Sequence, residues 1–261
     1  MTTMLKLMCV LAHPDDESFG MGGTLARYAA EDVATYLVTA TCGERGWTGD
    51  PAAHPGPAAL GEIRRRELCA AAQVLGIRAV NFLGYQDGEL DQADPRGVIA
   101  QIATHVRRVR PHVVVTFDPF GVYGHPDHIA ISQFTTAALM AAAAESKADH
   151  QIGLDLWPPH QVAKLYYLTF EPELLATYQS AMGDLVMGVD GQERRAAGWA
   201  PWSVTTQIDA TDHWRQVQQA VECHRSQLPK DGRLERLSEA QQRALWSRQT
   251  FYRAFSFVNG G

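Results

Sequence analysis

Cysteine is scarce in this chain. The 261 residues hold four, Cys9, Cys42, Cys69 and Cys223. No two form a CxxC pair and none sits near a histidine at zinc-finger spacing, which argues against a disulfide framework and a structural zinc finger. The thiols read as reduced side chains in or near the core. Long apolar runs are missing too. No stretch approaches the roughly 18 apolar residues of a membrane span. The opening MTTMLKLMCVLAH has an apolar run, but it is short and leads into HPDDE, not into a small-residue cleavage site. It predicts a buried strand, not a signal peptide. Excess positive charge is also absent: 23 Lys and Arg stand against 29 Asp and Glu, for a net charge of -6. Neutralising phosphates needs concentrated Lys and Arg, so no nucleic-acid partner is expected. There are no internal repeats and no low-complexity tracts. The expectation is a soluble, cytoplasmic protein with no stable membrane association.

What is present is a strong α/β rhythm. Hydrophobic residues make up 46% of the chain, enough to bury a sizeable core. Leu5 to Ala12, Val33 to Thr41, Val80 to Leu83, His112 to Phe117 and Lys164 to Phe170 read as strands. Helical spacing fills the gaps over Gly22 to Ala30, Ala58 to Leu75, Arg96 to Arg110 and Asp127 to Ala144, with Gly76 as a stop signal. Alternation of this kind predicts βαβ units and a Rossmann-like, doubly wound, mostly parallel sheet over residues 4–170. The C-terminal elaboration, 171–261, is less regular. Helices are expected over Asp212 to Gln227 and Ser238 to Arg248, and a strand near Phe251 to Val258. Glycine-rich 182–202 reads as a loop or lid. No linker divides the chain, so 1–261 is read as one domain.

Two short segments carry dense liganding chemistry. Ala12-His13-Pro14-Asp15-Asp16-Glu17 follows the first strand, and His125-Pro126-Asp127-His128 follows the fourth. In a doubly wound sheet these two strands are neighbours at the topological switch point, where such sheets bind ligands. His13, Asp16 and His128 would then offer two imidazoles and one carboxylate. Catalytic zinc takes three protein ligands of this kind and keeps a position open for water. The same set suits ferrous iron. Asp15, next to a ligand, could take the proton of a metal-acidified water as general base. His125 could donate to a developing oxyanion or protonate a leaving amine, and Tyr123 could supply a hydroxyl to the same oxyanion. Singly, each residue has a plainer reading: Asp15 and Asp16 as helix caps, the His-Pro pairs as turns. The matching positions of the two segments favour a metal site.

AHPDDE and HPDH together resemble the paired signatures of the LmbE-like, or PIG-L-like, zinc-dependent de-N-acetylases. That family includes deacetylases of N-acetylglucosaminyl conjugates in mycothiol and bacillithiol synthesis. The resemblance implies a Rossmann-like fold and zinc-dependent hydrolysis of an N-acyl, expectedly acetyl, group on a glucosamine conjugate, a small-molecule partner. By the same resemblance His13, Asp16 and His128 match the zinc ligands, Asp15 the base, and His125 and Tyr123 the acid or oxyanion groups. Arg64, in IRRRE with Glu67, and Asp87, in GYQDGEL, match substrate-binding positions. CHRSQ, from Cys223 to Gln227, resembles a late His-x-Ser-Gln pattern, with His224 read mainly as structural.

Three alternatives stand beside this reading. One is an amidase for a larger N-acyl group, as in mycothiol S-conjugate amidase. Another is a nucleotide-binding Rossmann module using Gly20, Gly22 and Gly23, although HPDDESFGMGG is no GxGxxG turn and its acids would repel pyrophosphate. The third is a metal-binding protein without catalysis. A homo-oligomer is left open.

Overall fold

The computed structural model describes residues 4–145 and 156–258. Residues 1–3 and 259–261, and the segment 146–155 inside the 4–170 core, lie outside them.

Strand β1 (Lys6–Leu11) is the centre of the sheet. Met8, Cys9, Val10 and Leu11 are all fully buried. A continuous apolar run suits a strand covered on both faces, where each such side chain contributes about 1.5–3 kcal/mol. Parallel neighbours flank it: β2 (Ala34–Thr39) on one side and β4 (Val113–Phe117) on the other, with Cys9 opposite Leu37 and Val115. β3 (Ala79–Phe82) extends the sheet beyond β2, and β5 (Lys164–Thr169) extends it beyond β4, both parallel. Two later strands complete it. β9 (Arg248–Ser256) runs antiparallel to β5, and β8 (Thr206–Asp209) antiparallel to β9. The order is β3-β2-β1-β4-β5-β9-β8. The fold is therefore the doubly wound, mostly parallel α/β sheet, and chain direction reverses its winding between β1 and β4.

Helix boundaries follow local chemistry. α1 (Asp16–Phe19) and α2 (Gly22–Ala30) follow β1. α3 (Pro57–Leu75) has proline at its start and stops at Gly76, whose φ of 72° is the left-handed cap a glycine supplies freely. α4 (Pro95–Val109) is capped by the Asp94 side chain accepting from the Arg96 N–H. α5 (Pro126–Ala143) is capped by His125, which accepts from the Asp127 N–H.

The C-terminal part departs from the sequence reading in three places. First, Pro172–Met182 is a helix, α6, with Leu174, Leu175, Tyr178 and Ala181 buried. It packs with α7 (Trp214–Cys223) and α8 (Glu239–Trp246) in a second small core around Trp214 and Trp246. Second, the 182–202 loop contains a hairpin, β6 (Val186–Val189) and β7 (Gln192–Arg195). Its turn is Asp190-Gly191, with φ of 52° and 73°. Asp-Gly is the pair such a two-residue turn selects, and it was legible in VDGQ. Third, α7 ends at Cys223, not at Gln227. The chain leaves the helix at His224, where the side chains of His224, Ser226 and Gln227 are committed elsewhere, as described below.

The glycines after β1 are packing devices. A Cβ on Gly23 would lie 2.6 Å from the Ala210 Cβ, and one on Gly20 2.6 Å from Leu168 Cδ2. At the start of α2 the Thr24 N–H is taken by Gln249 Oε1 at 2.6 Å. The helix terminus that the nucleotide-binding alternative needs is thus filled by protein.

Candidate metal centre and active site

The ends of β1 and β4 bring the two motifs together. Asp16 opens α1. Its Oδ2 accepts the N–H groups of Ala12 at 3.1 Å and His13 at 2.7 Å. Oδ1 stands 3.5 Å from His128 Nε2. His13 Nδ1 lies 3.2 Å from His128 Nε2 and 3.8 Å from Asp16 Oδ2. Ligands held about 2.0–2.2 Å from a tetrahedral ion are about 3.3–3.6 Å apart, close to the His13–His128 and His128–Asp16 Oδ1 separations, while the 3.8 Å approach of His13 is to the other Asp16 oxygen. The imidazole orientations agree. His128 stacks on Phe117 with ring centroids 3.9 Å apart, which aims its Nε2. His13 spends Nε2 on carboxylates, which leaves Nδ1 as a lone pair in the neutral ring. His13, Asp16 and His128 therefore fit a metal ion.

Behind His13 lies a carboxylate pair. His13 Nε2 is 3.1 Å from Asp127 Oδ2 and 3.1 Å from Asp87 Oδ1. Asp127 is fully buried and also accepts from the Gly88 N–H at 2.7 Å and the Leu90 N–H at 3.1 Å. Asp87 Oδ2 accepts from the Arg45 N–H at 2.9 Å. His13, Asp87 and Asp127 form a second potential ligand group, as do His13, His125 and His128. In the first of these the carboxylates already serve backbone donors, which suits support of a ligand better than ligation. Burial opposes charge on His13, but the hydrogen bonds to Asp127 and Asp87 outweigh it and push the imidazole up to about 10. The same contact holds Asp87 and Asp127 below the usual carboxylate range, against the opposing effect of their own burial.

Asp15 projects beside this triangle from a strained backbone, with φ 111° and ψ -30°. For a residue other than glycine such a conformation costs about 1–3 kcal/mol and needs restraint. Arg64 provides part of it. Arg64 is 3% exposed. Nη1 donates to the Gly43 carbonyl at 2.7 Å, and Nη2 to the Pro14 carbonyl at 2.6 Å and to Asp15 Oδ2 at 3.1 Å. Arg64 and Asp87 are thus both buried against other site residues. Burial raises Asp15, and Arg64 works against that rise.

His125 and Tyr123 come from the β4 loop. Asp118 organises it: Oδ1 accepts the N–H groups of Phe120 and Val122, and Oδ2 accepts Trp199 Nε1 at 2.7 Å. Val122 has φ 64° and ψ -63°, a sharp reversal that turns Tyr123 toward the histidines. Tyr123 makes edge contacts with His125 and His128 at centroid distances of 5.8 and 5.4 Å. Burial pushes its phenol upward, which keeps it a hydrogen-bond donor. His125 lies 4.7 Å from His13, centroid to centroid. Burial and the neighbouring His13 lower it to about 4. Its Nδ1 accepts from the Asp127 N–H at 3.2 Å. The neutral ring must then carry its proton on Nε2.

A cavity of about 210 Å³ opens from Asp15, Asp16, Tyr123 and His128. Its remaining wall is mostly apolar and includes Phe19, Phe117, Leu168, Phe170 and Leu185. The hairpin of the 182–202 segment borders the β4 loop, with Arg194 Nη1 donating to the Gly124 carbonyl at 3.0 Å. Trp199 is tied to Asp118, whereas Trp202 is 89% exposed. Among the described residues no helix is long and apolar enough to cross a membrane.

Sequence reasoning singled out neither Asp127 nor Glu17, although each sits inside a motif. Asp127 lies between His125 and His128, where an acid among buried histidines needs a partner; Glu17 gave no local sign of His224. Glu67 was noted only as part of Arg-x-x-Glu. It accepts from the Ser226 N–H at 2.8 Å and Oγ at 2.6 Å.

Known proteins resemble this chain in sequence and in fold. The family described as PIG-L, GlcNAc-PI de-N-acetylase, matches residues 8–139. The 1D-myo-inositol 2-acetamido-2-deoxy-alpha-D-glucopyranoside deacetylase 3 of Catenulispora acidiphila is 36% identical over 266 residues, covering 87% of this chain and 75% of its own. Among solved structures, N,N'-diacetylchitobiose deacetylase from Pyrococcus horikoshii superposes with a TM-score of 0.72 at 22% identity, over 96% of this chain and 84% of the other. The 4-carboxy-2-hydroxymuconate hydratase of Pseudomonas putida KT2440 gives 0.67 at 21% identity, over 99% of each. At such identities the structural likeness concerns the fold, which hosts more than one chemistry.

Proposed function

The chain belongs to the GlcNAc-PI de-N-acetylase family, and from that premise we propose that it hydrolyses the N-acetyl group of a glucosaminyl-inositol conjugate with the help of one divalent metal. The observation that carries the proposal is the convergence of His13 Nδ1, His128 Nε2 and the two Asp16 carboxylate oxygens at 3.2–3.8 Å, with Asp15 lining the same cavity. The relative's substrate is such a conjugate. Zinc is the metal best matched to two imidazoles and a carboxylate, with ferrous iron the next choice. When bound, such a cation would polarise the amide carbonyl and lower the pKa of water.

The side chains divide the remaining work. Asp15 accepts the proton of the attacking water; its burial raises it toward the working pH, which suits a general base. His125 is neutral well above pH 4 and carries its proton on Nε2, so it donates a hydrogen bond to the oxyanion that forms on the amide oxygen. Tyr123 adds a second donor. Once protonated, Asp15 can return the proton to the departing amine. Arg64 and Asp87 act through Asp15 and His13 and hold them in place, a different duty from the substrate contact their family positions imply.

A second reading rests on the apolar cavity. Its wall of Phe19, Leu168, Phe170 and Leu185 offers apolar surface to an aliphatic chain longer than acetyl. It supports cleavage of larger aliphatic N-acyl groups. One experiment separates these readings: release of free amine from N-acetyl and N-butanoyl glucosaminyl-inositol by zinc-loaded protein. Preference for acetyl supports the first, preference for butanoyl the second. Inactivity on both, with the metal bound, refutes both. His13→Ala, Asp16→Ala and His128→Ala should each lower bound metal severalfold; full retention in all three would remove the assigned site.

A further inference from the structure

Besides the Ser18 and Phe19 N–H groups, which donate to its carbonyl at 2.9 Å each, Asp15 is held at two points. Its carboxylate meets Arg64, and its backbone N–H donates to Glu17 Oε2 at 3.0 Å. The second hold is the more unusual. Glu17 is fully buried, two residues from the strained one, and faces an equally buried histidine 207 positions away: His224 Nε2 lies 2.7 Å from Glu17 Oε1. Ser18 Oγ donates to the same oxygen at 2.5 Å. The mechanism uses neither Glu17 nor His224.

The residues after His224 show why that histidine is fixed. Ser226 is anchored through its N–H and Oγ to Glu67, one helical turn from Arg64 on α3. Gln227 Nε2 donates to the Gly46 carbonyl at 2.7 Å, and Thr48 Oγ1 donates to the Ser226 carbonyl at 2.7 Å. Segment 224–227 therefore ties together α1, α3 and the loop after β2. Those three elements carry Glu17, Arg64 and Gly43, the groups that hold Asp15 or its Arg64 partner. This is also the stretch that leaves the helical path after Cys223.

We infer that Glu17 and His224 are positioning residues for Asp15, a buried clasp that holds the Asp15 backbone in its positive-φ conformation by way of its N–H. The inference rests on the reading of Asp15 as proton acceptor. Losing the His224 donor lets Glu17 turn from the Asp15 N–H, the backbone relaxes, and the carboxylate leaves its place beside the metal ligands.

The test compares His224→Leu, which removes the donor, with His224→Gln, whose amide nitrogen can replace Nε2. Both are measured as metal-loaded enzyme on 1D-myo-inositol 2-acetamido-2-deoxy-alpha-D-glucopyranoside, and amide exchange is followed at Asp15. His224→Leu should lower kcat at least tenfold with KM within twofold and metal content unchanged, and Asp15 exchange should accelerate. His224→Gln should stay within about threefold of wild type. On an Asp15→Ala background His224→Leu should add no further loss. Wild-type kcat in folded His224→Leu, equal losses in the two variants, or a full additive loss on Asp15→Ala would overturn the clasp. Wild-type turnover in Asp15→Ala alone would instead refute the proton-acceptor reading, and Asp15 exchange would still decide the clasp. If His224→Leu does not fold, Ser226→Ala takes its place: faster Asp15 exchange and a smaller loss of kcat support the clasp, and no change in either overturns it.

Discussion

Arg64→Met distinguishes a residue that positions the base from one that binds substrate. The substitution keeps much of the apolar stem and removes the guanidinium. Three acceptors lose a donor: the Gly43 carbonyl, which keeps the Gly46 N–H, the Pro14 carbonyl and Asp15 Oδ2. Breaking a buried charged pair costs about 3–5 kcal/mol, so the urea midpoint should fall clearly while the protein still folds. The effect on Asp15 has a definite sign. Arg64 favours its ionised form, so removal raises its pKa further. A charge-assisted hydrogen bond contributes about 1.5–3 kcal/mol, and one pKa unit is about 1.4 kcal/mol. The acidic limb of kcat/KM should therefore move up by about one to two pH units. A group whose sole role is to grip the sugar would raise KM and leave that limb in place. The assay is a pH profile of amine release at fixed metal loading. An unmoved limb with raised KM would refute the reasoning.

Two further outcomes follow from the buried acids around His13. Asp127→Ala leaves the Gly88 and Leu90 N–H groups without their acceptor and His13 Nε2 with Asp87 alone. Urea unfolding should show a loss of about 3–5 kcal/mol, and a loss under about 1 kcal/mol would mean that the carboxylate is dispensable. Stability of the metal-free protein should also depend on pH through His13. Its folded pKa, about 10, lies above the ordinary imidazole value. That contribution is complete below about pH 6.5 and disappears as the pH climbs through about 10. The metal-free unfolding midpoint should thus fall across that window, and His13→Gln should flatten the slope. Metal affinity should follow the opposite trend, because ligation needs the neutral ring. A metal-free midpoint independent of pH in wild type would contradict this.

The α/β core was legible because its signals are local. The Leu5 to Ala12 run marked a doubly buried strand, and Gly76 marked a helix end. The pairing of β1 with β4 followed from the winding rule, and with it the meeting of His13, Asp16 and His128. The C-terminal third was less legible because its elements are short and packed on one another. Pro172–Met182 has only three turns, and its apolar positions gain meaning once Trp214 and Trp246 are in place. Asp190-Gly191 was a readable turn signal hidden in a glycine-rich stretch. Arg64 and Asp87 show a different limit. Their motif positions point to the site, but only packing reveals that both face other side chains. Burial of Glu17 against His224 has no local signal at all, since the two lie more than two hundred residues apart.

The most direct measurement is the turnover of Asp15→Ala at matched metal content on the glucosaminyl-inositol substrate. Asp15 is beside the His13, Asp16 and His128 triangle and has no place among its three donor atoms. The variant should therefore bind metal as wild type does and lose turnover by at least about a hundredfold. Wild-type turnover with the metal bound would contradict the account.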